Sequence, residues 1–220
     1  LLYFRIDRKR KLHITTFLYA LGYSRKEILE IFYDFINFNF DKSKKTWQTK
    51  FNPDDYKRPI KLRTDLVNSK TEKVVLKTGS KINYIIAKKL YDDGLKNISF
   101  TSDYFVGKYV KNDLLNPLNK EIFLKSGSLI DQESLDKILE YNINSLEIAD
   151  VNPVTKGSYL IDTLNADKNN TKEEAVNDIY KVLRPGEPPS FDIAKEIFNG
   201  LFFKSERYDL SDVGRFKFNS

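Results

Sequence analysis

Residues 76–100, LKTGSKINYIIAKKLYDDGLKNISF, align without a gap onto residues 124–148, LKSGSLIDQESLDKILEYNINSLEI, 48 positions later. Leu76, Lys77, Gly79, Ser80, Ile82 and Lys89 match Leu124, Lys125, Gly127, Ser128, Ile130 and Lys137. An internal repeat constrains the fold more than composition does, because an element assigned to one copy must also serve the other. Each copy reads as a strand, a Gly-Ser turn, a short helix, a second turn near Gly94 or Asn142, and a closing strand that alternates apolar and polar residues. Gly79 and Gly127 suit turn positions with positive φ. Two such units can bury their helices against one shared strand layer, which predicts a pseudo-symmetric α+β subdomain. The Lys and Asp residues of the two helices read first as a solvated face.

The flanks have a different texture. Ser24-Arg25-Lys26-Glu27 has the capping-box form, and Ile28, Leu29, Ile31, Phe32 and Phe35 follow at helical spacing, predicting a helix over 25 to 36. A second capping box, Thr171-Lys172-Glu173-Glu174, opens a helix that Pro185 terminates, leaving Arg184 at its C-terminal end. After RPGEPPS, the stretch FDIAKEIFNGLFF is again amphipathic, with Asp192 and Glu196 on the polar side. Between the flanks, FNFNFDKSKKTWQTKFNPDDYKRPIKLRTDLV alternates, carries Pro punctuation and holds the only tryptophan, Trp47, which predicts strands with long turns. Domain limits therefore fall near 36 and 150, with residues 1–36 and 150–220 folding together beside an inserted 37–149.

Several function classes drop out by chemistry. The chain has no Cys, which removes disulfides, thiolate nucleophiles and Cys-based metal sites and fits a reducing cytoplasm. Its single histidine, His13, rules out two-His metal motifs and is expected to be a helix-entry residue. Neither GxGxxG nor GxxxxGK[ST] occurs, and the adjacent acids Asp54-Asp55, Asp92-Asp93 and Glu173-Glu174 point apart on a strand or helix. No apolar run approaches the roughly 20 residues of a membrane span. The absence of Met suggests an internal segment of a longer chain. Formal charge is +6, but the Lys of the middle is interleaved with acids and residues 150–220 are net acidic. Five of the seven cations in residues 1–36 fall between Arg5 and Lys11, a candidate anion contact.

Three segments remain: FRIDRKRKL (4–12), VLRPGEPPS (182–190) and LFFKSERYDLSDVGRFKFN (201–219). In this order and at this separation they resemble the β subunit family of bacterial RNA polymerase, in which RIDR[RK]RKLP precedes a leucine-rich helix pair like TTFLYALG and EILEIFY, and RPGEPP precedes RYDLS.VGR. The resemblance covers residues 1–36 and about 150–220. His13 stands where the family usually has Pro.

The resemblance implies a mostly helical lobe made of two discontinuous flanks, interrupted by a lineage-specific α+β insertion. It implies that the lobe forms a non-catalytic wall of the main cleft, beside downstream duplex DNA and the non-template strand. The DNA contacts it carries over are Arg5, Arg8, Arg184, Arg207 and, at the end of the motif, Arg215. Arg presents a fixed fork of donors to phosphate oxygens, and such contacts position DNA without reading its sequence. No catalytic or metal-binding residue and no cofactor is implied in this segment; Mg²⁺ belongs to an aspartate triad on the partner β′ subunit. Expected partners are DNA, the β′, α and σ subunits, and transcription factors on the insertion, in a cytoplasmic, nucleoid-associated enzyme. The alternative is a free-standing basic nucleic-acid-binding module, which would require a continuous basic stripe with interleaved aromatics.

Overall fold

The computed structural model describes residues 1–6, 10–151, 157–188 and 190–203. In chain order the elements begin with strands β1 (Tyr3–Ile6) and β2 (Arg10–His13), helices α1 (Ile14–Ala20) and α2 (Arg25–Phe32), and strands β3 (Phe35–Asp41) and β4 (Thr46–Lys50). Strands β5 (Ile60–Lys61), β6 (Leu66–Asn68), β7 (Val74–Leu76) and β8 (Lys81–Ile82), helix α3 (Tyr84–Asp92) and strand β9 (Asn97–Phe100) follow. The rest are β10 (Leu114–Leu115), β11 (Ile122–Leu124), α4 (Gln132–Glu140), β12 (Ser145–Ala149), α5 (Tyr159–Ala166), α6 (Lys172–Leu183) and α7 (Phe191–Phe202). Helices and antiparallel strands together make an α+β protein. The chain divides into two compact units, one of Leu1–Phe32 with Val151–Ser220 and one of Tyr33–Asp150.

The first unit is helical with one β-hairpin, β1–β2. Helix α1 packs on α6, and α6 on α7, around Tyr19, Ile28, Leu29, Ile161, Leu164, Val176, Ile179 and Phe198. Ser24 and Glu27 close the reciprocal cap of α2: the Ser24 N–H donates to Glu27 Oε2 at 2.7 Å and the Glu27 N–H to Ser24 Oγ at 3.3 Å. The helix expected to reach residue 36 stops at Phe32. Phe35–Asp41, FINFNFD, has a period of two, and pairing Phe35 with Ala149 in a sheet outcompetes another helical turn.

A buried polar hub ties the N-terminal flank to the C-terminal one. The Thr15 and Thr16 hydroxyls donate to Asp167 Oδ2 at 2.5 and 2.9 Å, while the Asn169 N–H and Nδ2 donate to Oδ1 at 3.0 and 3.1 Å. All four residues are buried, so the carboxylate exchanges its water shell for a fixed set of donors. Further bonds span the flanks, from the Leu2 N–H to Thr163 Oγ1 (2.7 Å), from Arg25 Nη1 to the Leu164 carbonyl (3.1 Å) and from Arg25 Nη2 to Asn165 Oδ1.

The second unit is built on a six-stranded antiparallel sheet in the order β12-β3-β4-β9-β6-β7. The 48-residue offset recurs in its elements: β7, α3 and β9 stand 48 positions before β11, α4 and the first four residues of β12. It also reaches further back than the sequence match. Leu66 pairs with Leu76 and Val67 with Val74, with a bulge between 66 and 67; Leu114 pairs with Leu124 and Leu115 with Ile122, with the same bulge.

The hairpin loops match as well. Glu72 and Lys120 both have positive φ, at 59° and 61°, and Asp65 and Asp113 accept from the N–H groups of Thr78 and Ser126. Asn83 and Asp131 cap α3 and α4 by accepting from Ile86 and Ser134. The structural copies are thus 60–100 and 108–148, each with its own core. Leu66, Ile82, Ala87, Leu95 and Ile98 fill the first; Leu124, Ile130, Leu135, Ile138 and Leu146 fill the second, with Phe38, Trp47 and Phe105. The β3–β4 hairpin joins them, β3 pairing with β12 and β4 with β9.

Candidate nucleic-acid interface

The hairpin β1–β2 pairs Tyr3 with His13, Phe4 with Leu12, Arg5 with Lys11 and Ile6 with Arg10. Directly opposed residues share a face, so this register sorts the side chains into two sets. Phe4 turns inward and packs on Phe17 at 5.5 Å between ring centroids, and Phe17 lies 4.9 Å from Phe202, which anchors the hairpin to α1 and α7. Tyr3, Arg5, Lys11 and His13 share the other face. There the Tyr3 and His13 rings stack at 5.1 Å, the Lys11 ammonium sits 5.8 Å from the Tyr3 ring, and Arg5 and Lys11 are both exposed. Like charges directly opposed across strands are destabilising. The fold keeps two of them side by side, next to a stacked aromatic pair.

His13 is the residue at the entry of α1, with φ −63° and ψ 140°. That φ is the value proline imposes, so the chain path accepts either residue, and here histidine adds a ring for Tyr3. Helix α6 ends at Leu183 with Arg184 as its C-cap, as Pro185 requires, and Gly186 turns the chain at φ +90°. Tyr180 Oη donates to Glu187 Oε2 at 2.8 Å, and Arg184 Nη1 lies 3.5 Å from Glu187 Oε1. The hydrogen bond to Glu187 holds the Tyr180 hydroxyl above its ordinary pKa. The Arg184–Glu187 pair is long and half-exposed, an interaction worth little in water that a phosphate can replace.

Of the arginines expected at the interface, Arg5 lies on the hairpin and Arg184 at the α6 terminus, both in the first unit. Arg8, Arg207 and Arg215 fall outside the described residues, as does the RYDLS segment. Motif reasoning does not single out Tyr3 and His13, although two-residue alternation through a hairpin centred after Ile6 aligns 3, 5, 11 and 13.

Among the described residues no group of three or more His, Asp or Glu side chains could hold a metal ion, and no helix is long and apolar enough to cross a membrane. Asp55 instead lines an open groove of about 510 Å³ on the second unit with Asn37, Asn39, Gln48, Lys50 and Asn97. Burial, then the charges of Asp150 and Asp54, raises its carboxyl pKa.

A family model described as RNA polymerase Rpb2, domain 2, matches residues 108–220. The chain belongs to that family. The match opens at Lys108, the first residue of the second structural copy, and runs through the α6–α7 turn. Along its whole length the chain is 44% identical to the DNA-directed RNA polymerase subunit beta of Rickettsia prowazekii, strain Madrid E. It is 43% identical to that of Rickettsia felis and 42% identical to that of Rickettsia rickettsii, strain Sheila Smith. It spans 16% of the length of these relatives.

Proposed function

We propose that this chain acts in transcription as part of the β subunit of a bacterial DNA-directed RNA polymerase, a nucleotidyltransferase, and forms a non-catalytic wall of its main cleft. In this reading residues 1–36 and 150–220 are the lobe and 37–149 an insertion within it. Arg5, Arg8, Arg184, Arg207 and Arg215 contact phosphates of downstream duplex and non-template strand, and Mg²⁺ is held by the partner β′ subunit. The partners are DNA and the β′, α and σ subunits, in the bacterial cytoplasm. The observation that carries the DNA contact is the opposed, exposed pair Arg5 and Lys11 beside the Tyr3–His13 stack. A fold that tolerates that repulsion has a use for an anion there. The identity to polymerase β subunits supports the assembly.

The test is salt dependence in assembled polymerase. Changing Arg5 and Lys11 to Ala should flatten the plot of log K for duplex binding against log salt by about 0.9 for each phosphate no longer neutralised. Changing Lys88 and Lys89, exposed on α3, should leave that slope alone. Equal changes from the two double variants would show diffuse charge rather than a discrete interface.

A further inference from the structure

The repeat supplies an internal control for the surface of the second unit. Where a residue is apolar and exposed in one copy but polar at the same place in the other, the fold does not require the apolar side chain. Four such positions cluster at one end of the first copy. Tyr84, Ile85 and Ile86 form the first turn of α3 and are 37%, 76% and 38% exposed. Ile60, 40% exposed, lies on the strand opposite Ile82, two residues before that turn. The second copy has Lys108, Gln132, Glu133 and Ser134 at these places. Both helices are nine residues long with a side-chain cap at the same position, so the apolar turn adds nothing to helix formation.

The charges around this end diverge too. Lys61, Lys81 and Lys88 stand where the second copy has Tyr109, Leu129 and Asp136, while Lys77 and Lys89 match Lys125 and Lys137. These five lysines of the first copy are all exposed. Lys61 and Lys81 oppose each other on the face of the β5–β8 ladder away from Ile60, whereas Lys88 and Lys89 stand three and four residues beyond Ile85, on its side of α3. An apolar centre beside like charges is the anatomy of a docking surface, and their sign sets the partner's charge. We propose that the first turn of α3, with Ile60, Lys88 and Lys89, docks an acidic, amphipathic segment of a partner protein. The segment places apolar side chains on Tyr84, Ile85 and Ile86 and carboxylates on the lysines. Nucleic acid is the weaker fit, because three aliphatic side chains offer a phosphate backbone nothing and leave no aromatic platform beyond Tyr84.

The test uses the full-length subunit in assembled enzyme and a synthetic helical peptide of about 20 residues with Leu at one face and Glu elsewhere. The same peptide with Lys for Glu and a duplex DNA oligonucleotide are the competing probes. Introducing the second copy's own residues, as Ile60→Lys, Tyr84→Gln, Ile85→Glu and Ile86→Ser, should weaken the acidic peptide at least about tenfold. Ile85→Glu alone, on the most exposed of the four and so neutral for folding, should weaken it in the same direction, and the Lys peptide should bind at least about tenfold less tightly than the Glu peptide. Equal binding of the two peptides, or Glu-peptide affinity untouched by both variants, would overturn the proposal. DNA binding abolished in the variants while peptide binding persists would assign the surface to nucleic acid instead.

Discussion

Replacing Asp167 with Ala removes the acceptor that joins α1 to the segment ahead of α6. The Thr15 and Thr16 hydroxyls and the Asn169 N–H lose their partner in a site where all of these residues are buried, while Asn169 Nδ2 loses one acceptor and keeps Asp178 Oδ2 at 3.0 Å. Hydrogen bonds to a charged group contribute about 1.5–3 kcal/mol each, but water entering the space left by the carboxylate restores part of that. A net loss of about 3–4 kcal/mol follows, a large fraction of the roughly 5–15 kcal/mol of a folded domain. With a urea slope of about 1.5–2 kcal/mol/M, the midpoint falls by about 2 M.

The two units can be followed separately. Trp47, the only tryptophan, is fully buried in the second unit, whereas five of the seven α-helices described belong to the first. Far-UV circular dichroism should therefore show the shift and Trp47 fluorescence should not. A dichroism midpoint within about 0.5 M of the parent would refute the reasoning, since that is under 1 kcal/mol at such a slope. A matching shift of the fluorescence midpoint would refute the separate treatment of the units.

Burial, then the Asp55 charge and Tyr104, pushes the Tyr56 phenol up to about 12. A raised folded pKa means a contribution fully present below the unfolded value near 10 and lost as pH climbs through 12; at 1.36 kcal/mol per unit this is about 3 kcal/mol, which the difference between parent and Tyr56→Phe urea midpoints should show. Gly94→Ala should cost about 1 kcal/mol, from backbone alone, because φ is +104° and no atom lies within 4 Å of the added Cβ; chemical denaturation followed at Trp47 measures it. Asn142→Gly, at the same place in the second copy with φ 52°, should be neutral or mildly stabilising by the same assay. Changing Arg184 and Arg207 together to Ala in assembled polymerase should lower the salt slope of DNA binding by about 0.9 per phosphate no longer neutralised, read from a titration series in salt.

Local chemistry makes much of this legible. The capping boxes at Ser24 and Thr171 lie where the side-chain bonds form, because those signals depend on residues three apart. The repeat shows from residue 76 onward because core and turn positions retain their identities. Upstream only Asp65, Leu66 and Asn68 match Asp113, Leu114 and Asn116, three residues that hold the bulged hairpin, while the other positions, buried Ser69 and Val110 among them, have drifted. The end of α2 is ambiguous in the sequence because Phe35 satisfies both a helical and a two-residue period, and the choice is made by Ala149 across the sheet. The Asp167 hub has no local signal at all, its threonine partners lying about 150 positions away. At the candidate interface, Arg5 and Arg184 are visible as motif residues, but the Tyr3–His13 stack depends on the hairpin register.

The first strand of the second unit, β3, is paired along its length with the last, β12, and the Asp150 N–H donates to the Asp34 carbonyl at 2.8 Å. The chain leaves this unit one strand spacing, about 5 Å, from where it entered. For the flanking helices, everything between 34 and 150 is equivalent to a tight turn. The entropy of bringing distant Thr15 and Asp167 together is set by that short span once the sheet has formed, not by the number of residues between them. Residues can be added to or removed from the interior of such a unit with no change in the closure the flanks experience. A two-residue turn joining Asp34 to Asp150 would present the same ends.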